Sequence, residues 1–327
     1  MQTQNIRLQK WVVAVAIVLL LVKFAAYLIT HSNAILTDAV ESIVNVVASL
    51  FGLYSLILAS KPRDANHPYG HGKIEFISAS IEGSMILIAG IIIIGKSIFN
   101  LITPHSVQHI EDGIILIAIA GAVNFMVGWN IEQRGKKANS ITMIAGGKHL
   151  QSDGWTTLGL LIGLGLLLQF KLLWIDSVVA IIFGCYIGFE GYRIVRRSIA
   201  GIMDEADIEL LNSLVGTLNE NRHPDWIDIH NLRVIKYGSR LHIDCHLTVP
   251  YYFSVKEGHD VLDQMENILH KRHESSDEWF VHIDPCLPPM MCRICTKNDC
   301  PVRAAPNEKI VEWNLETVLR NRRHGLN

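Results

Sequence analysis

Long apolar runs crowd into the first two hundred residues, at 11–30, 34–59, 76–102, 113–132, 141–169 and 172–195. Each can cross the core of a bilayer, which takes about 20 helical residues, so six transmembrane helices are expected. The first run is too long for a cleavable signal peptide, and no small-residue cleavage site follows it. Beyond residue 202 the pattern becomes that of a soluble domain. "DEADIELLNSLVGTLNE" spaces Ile208, Leu211, Leu214 and Leu218 as one helix face. Residues 226–236 and 240–249 alternate as strands around the turn "YGSR". In the second strand Leu241, Ile243, Cys245, Leu247 and Val249 share one face, and His242, Asp244 and His246 take the other. A helix near 255–273 and a short strand "WFVHID" complete an α-β-β-α-β order, roughly 85 residues and enough to fold. The expected architecture is an α-helical membrane protein with a small C-terminal α+β domain. Its parts are 1–200, 201–286 and a tail, 287–327.

Composition and charge agree with a membrane protein. Half of the 327 residues are hydrophobic and only 18% are charged, too apolar for an ordinary soluble chain. Arg7 and Lys10, then Lys61, Arg63 and Lys73, then Arg134, Lys136 and Lys137, then Arg193, Arg196 and Arg197 all fall on one side of the expected spans. The opposite connections, "THSNA", "TPHSVQHIEDG" and "QFKLLW", contain a single Lys. By the positive-inside rule both termini are cytoplasmic, which makes this an integral, multi-pass protein of the inner or plasma membrane. A net charge of −2 gives no sign of a nucleic-acid partner.

The polar residues inside the apolar runs demand an explanation. In "DAVESIVNVVAS" Asp38, Glu41 and Asn45 lie at steps of three and four, on one helix face. In "KHLQSDGWTT" His149 and Asp153 are again four apart. A charge at mid-membrane costs about 2.5–3.5 kcal/mol on the insertion scale. A hydrogen-bond network between spans 2 and 5 would meet part of that cost. Two facing pairs combining Glu, Asn, His and Asp favour a divalent cation, which satisfies all four groups at once. The loop "PRDANHPYGHGK" adds Asp64, His67 and His71 at a compact ligand spacing, against the alternative of solvated loop histidines. Glu82, on one face with Glu75 and Ser78, either lines a cytoplasmic vestibule or packs helices around a water. Asn124 and Asp176 read as structural, and Lys23 either snorkels or pairs with a carboxylate.

Taken together, the six spans with cytoplasmic termini, the pair in span 2, "HPYGHGK", the H-x-x-S-D of span 5 and the α/β domain ending in "HIDPC" resemble the cation diffusion facilitator family of metal efflux transporters, over residues 8–286. The resemblance implies a non-enzymatic homodimer that exchanges a divalent metal for protons. It also implies a ferredoxin-like, metallochaperone-like cytoplasmic domain. Carried over by position, the transport site is Glu41, Asn45, His149 and Asp153, and the loop site is Asp64, His67 and His71. A cytoplasmic dimer-interface site then takes His230, His246, His259, His282 and Asp284. Zinc-moving members carry His or Asp and then Asp four residues on in span 2, whereas this chain has Glu41 and Asn45. The amide removes one negative charge, so iron(II), manganese and cobalt suit the shell as well as zinc. Asp38, one turn before Glu41, is placed to add a ligand or a proton acceptor.

The function expected is export of a divalent transition metal from the cytoplasm in exchange for protons. Ligands must lose protons to bind metal, imidazole titrates near neutral pH, and a midplane site is reached alternately from either side. The rival is a membrane-anchored metal sensor with its sites in the cytoplasmic domain, but an anchor has no use for buried carboxylates. A metalloenzyme finds no nucleophile motif in the sequence. Past the resemblance, Cys286, Cys292, Cys295 and Cys300 fall within fifteen residues. In the cytoplasm disulfides rarely persist, so these thiols either hold a zinc ion or an iron–sulfur cluster or stay reduced on a flexible Pro-rich segment. "EKIVEWNLETVLRNRR" reads as a short amphipathic helix with Ile310, Trp313, Leu315 and Leu319 on one side.

Overall fold

The computed structural model describes residues 2–30, 33–102, 114–170, 173–238, 240–272 and 278–325. The chain forms two compact units, Met1–Met203 and Asp204–Asn327. The first is wholly helical: α1 (Gln2–Thr30), α2 (Asn33–Ala59), α3 (Ile74–Ile102), α4 (Ile114–Lys137), α5 (Ile141–Phe170) and α6 (Leu173–Ile202). Among the described residues, four stretches are long and apolar enough to cross a membrane: Gln4–Ala25, Ser42–Ala59, Ile74–Ile102 and Ser177–Ile202. The unit is therefore a multi-pass helical membrane bundle. The sequence's Lys-poor connection at 103–113 and the side chain of Asp176 lie outside the described residues.

Lipid offers no hydrophobic drive between helices, so they associate where small residues let backbones approach. Here α3 packs along α6 and α4 along α5, and glycine makes both contacts. A Cβ on Gly191 would stand 2.5 Å from the Leu87 backbone nitrogen, and one on Gly147 would stand 2.6 Å from that of Glu132. Inside the bundle, Val12, Leu56, Ile131, Met143 and Leu150 pack together across α1, α2, α4 and α5. Ala79, Ile86, Ala145, Ile187 and Ile194 tie α3 to α5 and α6. Ile88, Ile91, Ile92 and Phe99 of α3 stay exposed, as lipid-facing positions do.

The second unit follows the order α7 (Ile208–Glu220), β1 (Asp228–Tyr237), β2 (Arg240–Val249), α8 (Val255–Arg272) and β3 (Glu278–Pro285). Its sheet runs β1-β2-β3, with β1 and β2 antiparallel and β2 and β3 parallel. Asp207 caps α7 by accepting from the Leu210 N–H at 3.1 Å. Leu211, Leu214 and Leu218 are buried from that helix, but Ile208 is half exposed because it occupies the first turn. The apolar face of β2, Ile243, Cys245, Leu247 and Val249, forms one core with α7 and with Val261, Met265 and Leu269 of α8.

The tail belongs to this unit. It holds a 3-10 turn, Met291–Arg293, and α9, Leu315–Val318, which starts in a capping box made by Asn314 and Thr317. The amphipathic helix expected here is thus a single turn. Ile310 is 68% exposed and Leu319 is also exposed, while Trp313 and Val318 are buried in the domain core. Tertiary contacts, not helical periodicity, choose the buried residues. The Arg222 guanidinium lies 3.9 Å over the Trp313 ring, and Asn219 Nδ2 donates to the Trp313 carbonyl at 2.6 Å.

Candidate metal-binding sites

Steps of four along α2 and α5 turn Asn45, His149 and Asp153 toward each other across the helix pair. Asn45 Nδ2 donates to Asp153 Oδ2 at 2.6 Å, and His149 Nε2 lies 2.9 Å from Asn45 Oδ1. Asn45 and His149 are buried. The amide sits between an acceptor and an imidazole, each atom satisfied by the next. Asp38 and Glu41 fall on α2, and their side chains lie outside the described residues. Beside His149 is a cavity of about 10 Å³ lined by Gln9, Ala48, Ser49, Glu82 and Gly146, room for about one water. Glu82 is buried there, close enough to Gly52 and Gly146 to need their missing side chains.

Further polar contacts bind the bundle's helices to one another. The Ser140 hydroxyl donates to Glu75, and Thr142 Oγ1 donates to the Glu75 carbonyl at 3.2 Å. Gln151 Nε2 donates to Glu132 Oε2 at 2.7 Å, and Lys148 links Glu132 at 3.5 Å to Glu190 at 3.3 Å, joining α4, α5 and α6. Asn124 and Lys23 are buried.

Between α2 and α3, the loop folds around Asp64. Its Oδ1 accepts from the N–H groups of Asn66 and His67 at 2.9 and 2.7 Å, an Asx turn. That backbone bond from His67, with the His67 ring beside it, holds the Asp64 carboxyl below its ordinary pKa. His67 Nδ1 lies 3.0 Å from Asp64 Oδ1 and His71 Nε2 lies 3.3 Å from Oδ2. One ligand atom from each of the three residues falls within reach of a single ion.

A second such group is built by strand register. His230 pairs with His246 across β1 and β2, and His246 with His282 across β2 and β3, so three histidines form one row over the sheet. Two residues away on the same face, Asp228 and Asp284 both pair with Thr248 in the next row. His246 Nδ1 lies 3.1 Å and His230 Nε2 3.5 Å from Asp284 Oδ2, and His282 Nε2 lies 3.4 Å from Oδ1. His230, His246 and Asp284 offer ligand atoms to one ion. His259 stands apart on α8, 69% exposed, with Asp263 at 3.8 Å; within one chain it does not join the row.

Sequence reasoning missed the groups that close this face. Arg323 Nη2 donates to Asp284 Oδ1 at 2.5 Å, and Nη1 to the Pro285 carbonyl at 3.2 Å. His324 contacts Asp228 Oδ1 through Nδ1 at 2.6 Å, and its N–H donates to Oδ2 at 3.0 Å. Burial pushes the Asp284 carboxyl up, but the Arg323 guanidinium and His246 hold it below its ordinary pKa. Burial is likewise overcome at Asp228 by His230 and His324, leaving that carboxyl well below the usual range. The signal available was a charged run, "RNRRHG", just after Leu319; nothing in it said where the chain turned back. Cys286, Cys292, Cys295 and Cys300 line a single cavity beside this segment, and none of the six cysteines is disulfide-bonded.

Comparison with known proteins matches residues 10–203 to a family profile described as the cation efflux transmembrane domain, and residues 209–286 to the cation efflux protein cytoplasmic domain. An uncharacterised transporter of Synechocystis sp. is 30% identical over 80% of this chain and 84% of its own length. The manganese efflux system protein MneS of Bacillus subtilis is 28% identical over 84% of this chain and 93% of its own. The cation-efflux pump FieF of Shewanella oneidensis is 26% identical over 84% and 91%.

Proposed function

The chain belongs to the cation diffusion facilitator family, and from that premise we propose that it exports a divalent transition metal from the cytoplasm in exchange for protons. As a member it is a transport protein for divalent metal cations, not an enzyme. In this reading it works as a homodimer with six spans and both termini cytoplasmic. Residues 1–200 carry the transport path, residues 201–286 form a ferredoxin-like metal-binding and dimerisation domain, and residues 287–327 form an appended tail.

The observation that carries the reading is the contact of Asn45 with both His149 and Asp153 across α2 and α5. The atoms that meet, an imidazole nitrogen, an amide oxygen and a carboxylate oxygen, are donors a divalent cation accepts. With Glu41 they make the transport site, and Asp38 stands one turn away as a further proton acceptor. Without metal, hydrogens hold these atoms together. A cation that takes their place needs the His149 Nε2 lone pair free and both carboxylates ionised, so loading displaces protons and proton re-entry displaces the metal. A shell with more oxygen than nitrogen and no sulfur fits manganese or iron(II) better than zinc. The B. subtilis relative named for manganese efflux leans the same way. The groups around Asp64 and Asp284 bind the same cations on the cytoplasmic side.

Metal uptake by proteoliposomes under an imposed pH gradient, run with manganese, iron(II), cobalt, zinc and cadmium, tests the proposal. It predicts flux that follows the proton gradient and is lost in His149→Ala. Metal binding with no flux for any ion supports the sensor instead. Flux indifferent to the gradient, or unchanged in His149→Ala, ends the antiport reading.

A further inference from the structure

Four thiols within a fifteen-residue stretch of sequence share one cavity in the C-terminal unit. Its walls include Cys286, Cys292, Cys295 and Cys300 with the apolar side chains of Ile227, Pro250, Pro288 and Val302. The spacing is C-x5-C-x2-C-x4-C, close to the two-to-four-residue intervals of structural zinc sites. We propose that these four cysteines form a site for one thiophilic, tetrahedral divalent cation of the zinc class, which staples the tail to the domain.

Three observations converge. First, regular structure in residues 286–325 amounts to one 3-10 turn and one four-residue helix, with a small core of Ile227, Met291, Ile294 and Cys295. So loop-rich a segment has little regular structure to fix it around the thiols, where a metal staple is effective, and all four cysteines are free thiols. Second, other side chains build the loop that carries the thiols. Arg303 donates to the carbonyls of Cys292 and Cys295, both at 3.2 Å, and of Lys297 at 2.6 Å, while Asn307 Nδ2 donates to the Cys295 carbonyl at 3.1 Å. Arg303 also lines the cavity, a cation that offsets part of the excess negative charge of four thiolates around a divalent ion. Third, the cavity measures about 10 Å³, room for one atom of a water's size, which suits a single ion.

The groupings in which three ligand atoms already reach a single ion are the Asp64 and Asp284 groups. The four thiols share a cavity wall without three sulfurs already meeting at one point, so the proposed site requires them to turn inward on binding. Burial raises the Cys286 and Cys295 thiols, and neighbouring thiols push the same way, so without metal they hold their protons. Binding releases those protons. The stapled segment is the one that brings Arg323 and His324 onto Asp284 and Asp228.

The test uses the full chain in detergent, with cobalt(II) and zinc as probes. Every other metal group proposed for this protein is built from nitrogen and oxygen, so a thiolate-to-cobalt charge-transfer band reports this site alone. The band is expected in the unaltered chain and absent from Cys292→Ser/Cys295→Ser, which keeps its metal flux in proteoliposomes. With free zinc at a hundred times its dissociation constant, about one site in a hundred is open, so alkylation of the four thiols slows about a hundredfold. This second measurement needs no variant and stands even if the double substitution unfolds the tail. Absence of the cobalt band together with zinc-independent alkylation overturns the proposal. Acid-labile sulfide in the isolated protein overturns it too, in favour of an iron–sulfur cluster.

Discussion

The membrane group around Asn45 and the sheet group around Asp284 combine similar donors but neutralise them differently. In the membrane an amide bridges the imidazole and the carboxylate, so polar atoms are satisfied by one another. A free charge at that depth is costly, and the neutral bridge lets the group wait without its cation. On the sheet the negative charge of Asp284 is met by a guanidinium, Arg323, delivered by the far end of the chain. In the proposed reading an incoming cation competes with protons at both groups, and on the sheet with the Arg323 guanidinium as well. On the proposed function, the sheet group would answer to the placement of the tail as well as to pH.

The comparison is broken most completely by Asp153→Ala, which removes the charged end of the bridge; metal flux in proteoliposomes should fall about a hundredfold. Arg323→Ala works in the opposite direction. It uncovers Asp284 Oδ1 by removing a charge-assisted hydrogen bond worth about 1.5–3 kcal/mol, so cation affinity of the sheet group should rise about tenfold or more, read by isothermal titration. An unchanged affinity would show that the guanidinium does not compete with metal.

Acid sharpens the contrast next. Asp228 and Asp284 have folded-state pKa values below their unfolded ones. Their stabilisation is complete above about pH 4 and is lost as pH falls from there through the folded values. Protection factors of the amides in β1, β2 and β3, with the intrinsic pH dependence of exchange divided out, should fall over that acid window. The smallest effect is expected from Asn314→Ala, which removes the capping box of α9 and costs about 1 kcal/mol. Loosening the tail this way should speed exchange at β1 near Asn231, whose N–H donates to the Arg320 carbonyl at 2.8 Å, and leave the membrane group unaffected.

Legibility in sequence followed the locality of the contacts. His149 and Asp153 are one helical turn apart, and Asp64, His67 and His71 lie within one loop; such spacings are visible before any fold is known. The order α-β-β-α-β and the inward face of β2 were equally plain, because alternation and helical period are local patterns. Where partners are far apart the pattern fell silent or misled. His259, assigned to a dimer-interface site by resemblance, stands on α8 away from the histidine row of its own chain. Ile310 looked buried and is exposed, because Trp313 is the residue that Arg222 covers. The charged run holding Arg323 and His324 did not say which residues it would meet.

Hydrophobic run length, charge placement and the spacing of polar residues determined by themselves that this is a multi-pass helical membrane protein with a small α+β domain and metal-ligand chemistry. Only the tertiary structure decided that α2 faces α5 at Asn45, that strand register lines up His230, His246 and His282, that the tail closes over Asp284, and that four cysteines share one cavity. The physical reason is that local periodicity reports which face of an element is polar, whereas the partner of that face is selected by the packing of the whole chain.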